Sequence, residues 1–248
     1  MSGPSAGPVT IPLWTRPTPK RLFIHRLFSE IAPRYDWFNR LASCGLDQRW
    51  RREALRRGTV ERGMRLLDVC TGTGDLALLA AAVQQGQGEV VGLDMNGAML
   101  GAARRKEQRR GRAVTWVRGD AQALPFRDGS FDRVLMGFST RNLNDLMAGL
   151  GEMVRALRPH GRLIILETGR PANPIVRLGY LVFLFTGARA IGFLLTGRWW
   201  PFTYLARSVR GFLTPHEVVA RLQGLGAQVE YVSLSGGLAS LYLATKTS

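Results

Sequence analysis

From residue 65 onward, short apolar runs alternate with helical stretches, and this rhythm limits the chain to few architectures. The runs are Arg65–Val69, Glu89–Leu93, Val114–Arg118, Arg133–Gly137 and Arg162–Glu167. Between them, Leu76–Gln84, Ala98–Arg110 and Leu146–Leu157 carry helix-like patterns. Strand and helix in strict turn are the signature of βαβ units around a parallel sheet. Gly161, after Arg158-Pro159-His160, reads as the turn into the fifth strand. Two more strands are expected around Gln228–Ser233 and Ser240–Thr245, close enough to form an antiparallel hairpin. The expectation is an α/β fold with a seven-stranded, mostly parallel sheet that contains one antiparallel strand.

The flanks have a different texture. Leu22, Leu27, Phe28 and Ile31 recur at helical spacing, and a second helical run ends in the basic segment Arg49–Arg57. Residues 1–20 hold five prolines and no apolar core of a signal peptide, so they read as a disordered arm. Residues 171–213 are apolar, aromatic and basic and look like an insertion in a domain spanning 21–248. Thr214-Pro215-His216-Glu217 then opens a helix, with Thr214 as cap, Pro215 in the first turn and Glu217 reaching back.

The segment Leu66-Leu67-Asp68-Val69-Cys70-Thr71-Gly72-Thr73-Gly74-Asp75 ends the first strand and opens a helix. Gly72 and Gly74 permit a tight turn and close backbone approach to a ligand, and Asp94, at the end of the second strand, is placed for ribose hydroxyls. Gly72-x-Gly74-x-x-Ala77 also satisfies the relaxed dinucleotide fingerprint. Charge separates the two readings. Asp68 and Asp75 flank the loop and would repel a pyrophosphate, whereas S-adenosylmethionine carries a cationic sulfonium and ammonium. Asp75 has a second reading, as an acid favoured at a helix N-terminus by the macrodipole. Asp120, after the third strand, can accept from an adenine amino group, and Asp128-x-x-Phe131-Asp132 leads into the fourth strand. Together these resemble the class I methyltransferase pattern over about residues 60–170.

The flanks narrow the resemblance. Tyr35-Asp36-Trp37-Phe38-Asn39-x-x-Ala42-Ser43-x-Gly45-x-x-x-x-Trp50 resembles the amino-terminal signature of the ubiquinone/menaquinone biosynthesis C-methyltransferases. Phe138-Ser139-Thr140-Arg141-Asn142-Leu143 is similar to that family's segment after strand four. Arg155–Leu163 with Leu166-Glu167 resembles its second signature, and Tyr204-Leu205-x-x-Ser208-Val209 its lid. The resemblance runs from about residue 24 to 246. Phe38, His160, Gly169 and Gly137 depart from the family pattern; Gly137 stands where a serine often contacts the cofactor.

The resemblance implies a Rossmann-like methyltransferase with a helical N-terminal segment and a helical lid, and S-adenosylmethionine as cofactor. The implied cofactor contacts are Asp68, Gly72, Thr73, Gly74, Asp94, Met95, Asp120, Ala121 and Gly137. It also implies methylation of a ring carbon ortho to a phenolic hydroxyl in a polyprenyl quinol, demethylmenaquinol ahead of the ubiquinone-pathway benzoquinol. Arg141 is the expected phenolate stabiliser, or else an arginine that caps a helix or pairs with Asp145. Asn142 is expected to orient Arg141 or to start the next helix. Tyr35 is expected to cover the methionine end of the cofactor, touch the quinol, or only pack. His25, His160 and His216 read as structural.

Charge bears on partners. The chain has 34 Lys+Arg against 18 Asp+Glu, a net +16, which attracts nucleic acid or an anionic membrane face. No appended RNA-binding motif, Asn-Pro-Pro-Tyr-type amine site or catalytic cysteine motif is present, so no nucleic-acid partner is expected; the alternative reading is a methyltransferase of RNA or of another lipid or small molecule. Cys44 and Cys70 form neither a disulfide framework nor a metal-ligand spacing. Residues 178–195 just reach spanning length, but Arg189 and three glycines interrupt them. They are read as a lid that receives a prenyl tail and dips into the membrane interface, on a cytoplasmic enzyme at the inner face of the membrane. A homodimer is left open.

Overall fold

The computed structural model describes residues 19–247, and the expected arm falls outside them up to residue 18. Pro19 and Lys20, assigned to that arm, instead form the first turn of helix α1 (Pro19–Ile31). Helices α2 (Tyr35–Ala42) and α3 (Leu46–Arg57) complete the N-terminal segment. The expected alternation then follows: β1 (Arg65–Val69), α4 (Asp75–Gln84), β2 (Glu89–Asp94), α5 (Gly97–Arg110), β3 (Thr115–Arg118), β4 (Phe131–Gly137), α6 (Leu146–Ala156) and β5 (Leu157–Thr168). Three helices form the insertion, α7 (Pro174–Phe185), α8 (Gly187–Thr196) and α9 (Trp200–Arg210). Helix α10 (Pro215–Gly224), β6 (Ala227–Leu234) and β7 (Ala239–Lys246) close the chain.

The seven strands make one sheet in the order β3-β2-β1-β4-β5-β7-β6. Only β7 runs against its neighbours, pairing antiparallel with both β5 and β6. Strand order reverses between β1 and β4, and such a switch point leaves a crevice at the carboxyl ends of the strands. Successive strand residues point to opposite faces. Leu67, Val69, Val134, Met136, Leu163 and Ile165 pack on one side of the sheet. Leu66, Leu135, Ile164 and Leu166 pack on the other, against α3 and α4.

One expectation about the sheet is corrected. The fifth strand starts at Leu157 and not after a turn at Gly161. Its register against β4 jumps from Phe131↔Leu157 to Arg133↔Arg162, so Arg158–Gly161 form a bulge within the strand. His160 sits there with φ +60°, exposed and far from the strand carboxyl ends. The expected cap of α10 is present: the Thr214 hydroxyl accepts from the Glu217 N–H, and the Glu217 carboxylate accepts from the Thr214 N–H at 2.7 Å.

The insertion builds its own apolar cluster over the sheet. Phe202 and Ala206 of α9, Leu184 of α7 and Ala188 of α8 pack with Leu27, Ile31 and Phe38 from the N-terminal helices. A Cβ on Gly192 would lie 2.1 Å from the Phe202 ring, so this glycine lets α8 and α9 approach closely. The apolar stretch 174–196 has a mean hydropathy of 1.8 and a length of 23 residues, enough to cross a membrane by composition. The chain bends at Thr186 (φ −119°, ψ −75°), leaving helices of 12 and 10 residues. Each piece is shorter than the ~20 residues a spanning helix needs.

Candidate active site

Two adjoining cavities open at the switch point. The first is narrow, about 100 Å³, and its wall includes Cys70–Thr73, Asp94, Met95, Asn96, Gly119–Gln122, Gly137, and Arg21, His25 and Tyr35 from the N-terminal segment. The second is larger, about 450 Å³, and runs under the lid between Tyr35, Phe38, Phe138, Arg141, Asn142, Tyr180, Phe202 and Tyr204. Tyr35 and Asn142 line both, so they stand at the junction.

The glycine loop is built by backbone chemistry. Gly72 and Gly74 have φ of +58° and +79°, a region favourable only for glycine among most residues. Nothing lies within 4 Å of a Cβ built on Gly72, so that face is open to a ligand. A Cβ on Gly74 would strike Trp116 at 2.5 Å. Gly74 therefore lets the start of α4 pack against Trp116 of β3 and, unlike Gly72 and Thr73, is not part of the cavity wall. Asp68 is also off the wall: it lies under the loop and accepts from Thr71 Oγ1 at 2.5 Å and from the Ala77 N–H at 3.1 Å. Thr73 donates to Asp36 at 2.6 Å, which ties the loop to α2.

The loop's electrostatics differ from the expectation. Asp75 lines the cleft but is not a free carboxylate; it is buried and paired with Lys106 at 2.7 Å and Arg40 at 3.5 Å. Burial pulls its carboxyl upward, but Lys106, Arg51 and Arg40 outweigh this and hold it below the usual range. Burial pushes Asp68 up to about 7, against the lowering effect of Thr71 and Arg51. The exclusion of a pyrophosphate has a sharper cause than charge. A dinucleotide loop offers free N–H groups to phosphate oxygens. Here the Gly72 N–H donates to Asp94 Oδ2 at 2.8 Å, the Gly74 N–H to Thr71 O at 2.9 Å and the Thr71 N–H to Leu93 O at 2.9 Å. These three donors are already used, and the Asp94 carboxylate lies against the Gly72 N–H. Open space at Gly72, an acid at the end of β2 and no unspent donor at these three positions fit an adenosyl group without phosphate, as in S-adenosylmethionine.

Asp94 accepts from both the Gly72 and the Asn96 N–H, which fixes its carboxylate at the wall. Burial raises its pKa despite those two donors and His25. Asp120 is paired with Arg21 at 2.8 Å, so α1 closes the cleft at the adenine end. His25 also lines the cleft, with its carbonyl accepting from Asn96 Nδ2 at 2.8 Å; spacing alone marked it only as a helix-face residue. Ala121, Met95 and Gly137 also line the cleft.

Asp68 has a measurable consequence. Its carboxyl keeps its proton to about pH 7 in the folded protein, while the unfolded chain releases it near pH 4. The folded state therefore binds more protons between these values, and this group's contribution to stability falls as pH rises through that window, by up to about 1.4 kcal/mol per pH unit. Denaturant unfolding at pH 5, 6 and 7.5 should show the slope, and Asp68→Asn should flatten it. Equal slopes in both proteins would remove Asp68 as the cause.

Arg141 sits in the 3-10 turn Thr140–Asn142 that follows β4. It neither caps a helix nor pairs with Asp145, which caps α6 through the Ala148 N–H. Its Nη1 donates to the Phe138 carbonyl at 2.8 Å and is ion-paired to Glu167. Glu167 is 1% exposed and also accepts from Thr140 Oγ1 at 2.5 Å and the Thr168 N–H at 2.8 Å. Arg141 Nε is buried with no hydrogen-bond partner among the described residues. Asn142 does not orient Arg141 or open α6: its Oδ1 accepts from the Tyr204 hydroxyl at 3.1 Å, joining the turn to the lid. Tyr35 packs edge-on against Phe28 at 5.9 Å, and burial raises its pKa above the usual value. Glu167 and Tyr204 stood in the family-like segments, but no local pattern showed that they meet Arg141 and Asn142.

A seven-stranded sheet of this order, with an adenosyl-fitting cleft at its switch point, defines the class I methyltransferase architecture. A methyltransferase from Aquifex aeolicus, solved as S-adenosylmethionine-dependent, superposes with TM-score 0.60 at 19% identity over 79% of this chain and 88% of its own. The chain belongs to the ubiE/COQ5 methyltransferase family, whose model matches residues 17–246. Among relatives, the demethylmenaquinone methyltransferase of Thermus thermophilus is 42% identical over 88% of this chain and 98% of its own length. The ubiquinone/menaquinone biosynthesis C-methyltransferase UbiE of Geotalea uraniireducens is 36% identical over 90% of this chain and 96% of its own.

Proposed function

We propose that the protein transfers a methyl group from S-adenosylmethionine to a ring carbon of a polyprenyl quinol, with demethylmenaquinol the preferred acceptor. The carrying observation is Arg141 on the wall of an apolar 450 Å³ cavity beside the cofactor cleft, with its bonds to Glu167 and to the Phe138 carbonyl both made through Nη1. Its Nη2 makes no hydrogen bond among the described residues, and a substrate oxygen would supply that acceptor. S-adenosylmethionine, when bound, supplies an electrophilic methyl group. Arg141 holds the ring oxygen as a phenolate once its proton has passed to water, which raises electron density on the ortho carbon; after methylation that carbon gives up its own proton to water and the ring regains aromaticity. Tyr35 and Asn142, at the junction of the cavities, set the ring against the cleft, and much of the acceleration comes from such positioning. Phe138, Tyr180, Phe183, Leu184 and Phe202 line the larger cavity and suit the ring and the first units of the prenyl tail.

The same lid supports work at a membrane face. Ile175 and Leu194 are 80% and 82% exposed, Leu178 and Trp199 are exposed too, and Arg177 and Arg198 lie on the same helical insertion. Apolar and basic residues together suit an interfacial element on anionic lipid. One assay tests both parts: purified protein with S-adenosylmethionine and demethylmenaquinol in vesicles, read by mass spectrometry. A product heavier by one methyl is expected, formed faster on anionic than on zwitterionic vesicles and faster than from the benzoquinol. No methylated quinol from either acceptor would overturn the proposal.

A further inference from the structure

Arg51 is a buried cation that the reaction as described leaves unused. It projects from α3, and its side chain is only 7% exposed. Its nearest acid is Asp47, one turn earlier, at 3.7 Å, beyond hydrogen-bond reach. Asp47 is already served by Ser43 Oγ at 3.2 Å, Gln48 Nε2 at 2.9 Å and Arg40 at 3.5 Å. Arg51 Nε has no hydrogen-bond partner among the described residues. The guanidinium carbon lies 5.1 Å over the Phe138 ring, and a Cβ built on Gly137 would come within 3.1 Å of Nη1. Arg51 thus reaches the carboxyl end of β4 and lines the narrow cleft.

Position along the cleft separates Arg51 from the other basic groups there. Arg21 is held at the adenine end by Asp120, and His25 stands by Asp94 at the ribose end. Arg51 acts electrostatically on Asp68, Asp75 and Tyr35, which places it between the glycine loop and the larger cavity. That is where the methionyl tail of the cofactor must lie if its methyl is to face the second cavity. The tail carries one anionic group, its carboxylate; the desolvated Arg51 guanidinium, whose Nη1 edge reaches Gly137 on the cleft wall, is the matching partner. We propose that Arg51 binds the carboxylate of the methionyl tail of S-adenosylmethionine. This inference rests on the cofactor reading above.

Calorimetric titration with two ligands tests it: S-adenosylmethionine, and its decarboxylated form, which keeps the adenosine, sulfonium and amine. Arg51→Gln is expected to raise the Kd of S-adenosylmethionine by about tenfold or more and that of the decarboxylated form by less than about twofold. Equal weakening of both ligands, or of neither, overturns the proposal and leaves Arg51 as a brace between Asp47 and Phe138. A wild-type protein that binds neither ligand would instead overturn the cofactor reading, and is seen before any variant is made. If circular dichroism shows Arg51→Gln unfolded, Arg51→Lys takes its place, keeping the charge and losing the planar fork. A selective loss toward the carboxylated ligand is expected there too, and equal loss overturns the proposal.

Discussion

Arg141→Ala is expected to lower turnover on the quinol by about 10²–10³-fold, the range for removing one preorganised donor to a developing oxyanion. Its effect on S-adenosylmethionine affinity should stay within about twofold, because Arg141 lines only the larger cavity. The change need not unfold the protein. Glu167 keeps Thr140 Oγ1, the Thr168 N–H and Thr168 Oγ1 as donors when the arginine is gone. Single-turnover kinetics at saturating quinol read the chemical step apart from binding. Unchanged turnover would remove Arg141 from the mechanism and return it to a purely structural role with Glu167.

Glu167→Ala should produce the largest loss of stability, about 3–5 kcal/mol, since it strips the counter-charge from a buried arginine. Arg141 would keep only the Phe138 carbonyl, and the Thr140 hydroxyl would lose its acceptor inside the protein. Urea unfolding measures the difference. Glu167→Gln keeps the shape and one acceptor, so it should cost less than the alanine variant while still loosening Arg141. A loss below about 1 kcal/mol for Glu167→Ala would mean that water reaches the pair and that burial does not set its energy.

The two variants expose a division visible throughout the molecule. The strands and helices of the sheet were legible because each carries a local signal: short continuous apolar runs, buried at consecutive positions in β1 and β2, a capping box at Thr214, glycines where the chain turns at Gly72 and Gly74. The bulge at Arg158–Gly161 was missed because Gly161 signals a turn equally well within a strand as before one. Asp75 was misjudged for a different reason. Its charge is plain in the sequence, but Lys106 and Arg40, which neutralise it, come from 31 and 35 residues away on other helices. The same distance hid the ties of Asn142 to Tyr204 and of Arg141 to Glu167.

The alternation of apolar runs, the glycine turn and the placement of acids at strand ends follow from residue type and near neighbours, so the sequence alone determined the seven strands and the adenosyl loop, while the strand order and its switch point came with the tertiary structure. Which charges in the cleft are spent and which remain was decided only by folding. Ion pairs and hydrogen bonds form between groups far apart in the chain, and burial sets their strength. Tertiary structure used up Asp75 and the loop N–H groups, and it left Arg141 and Arg51 with donors still to give.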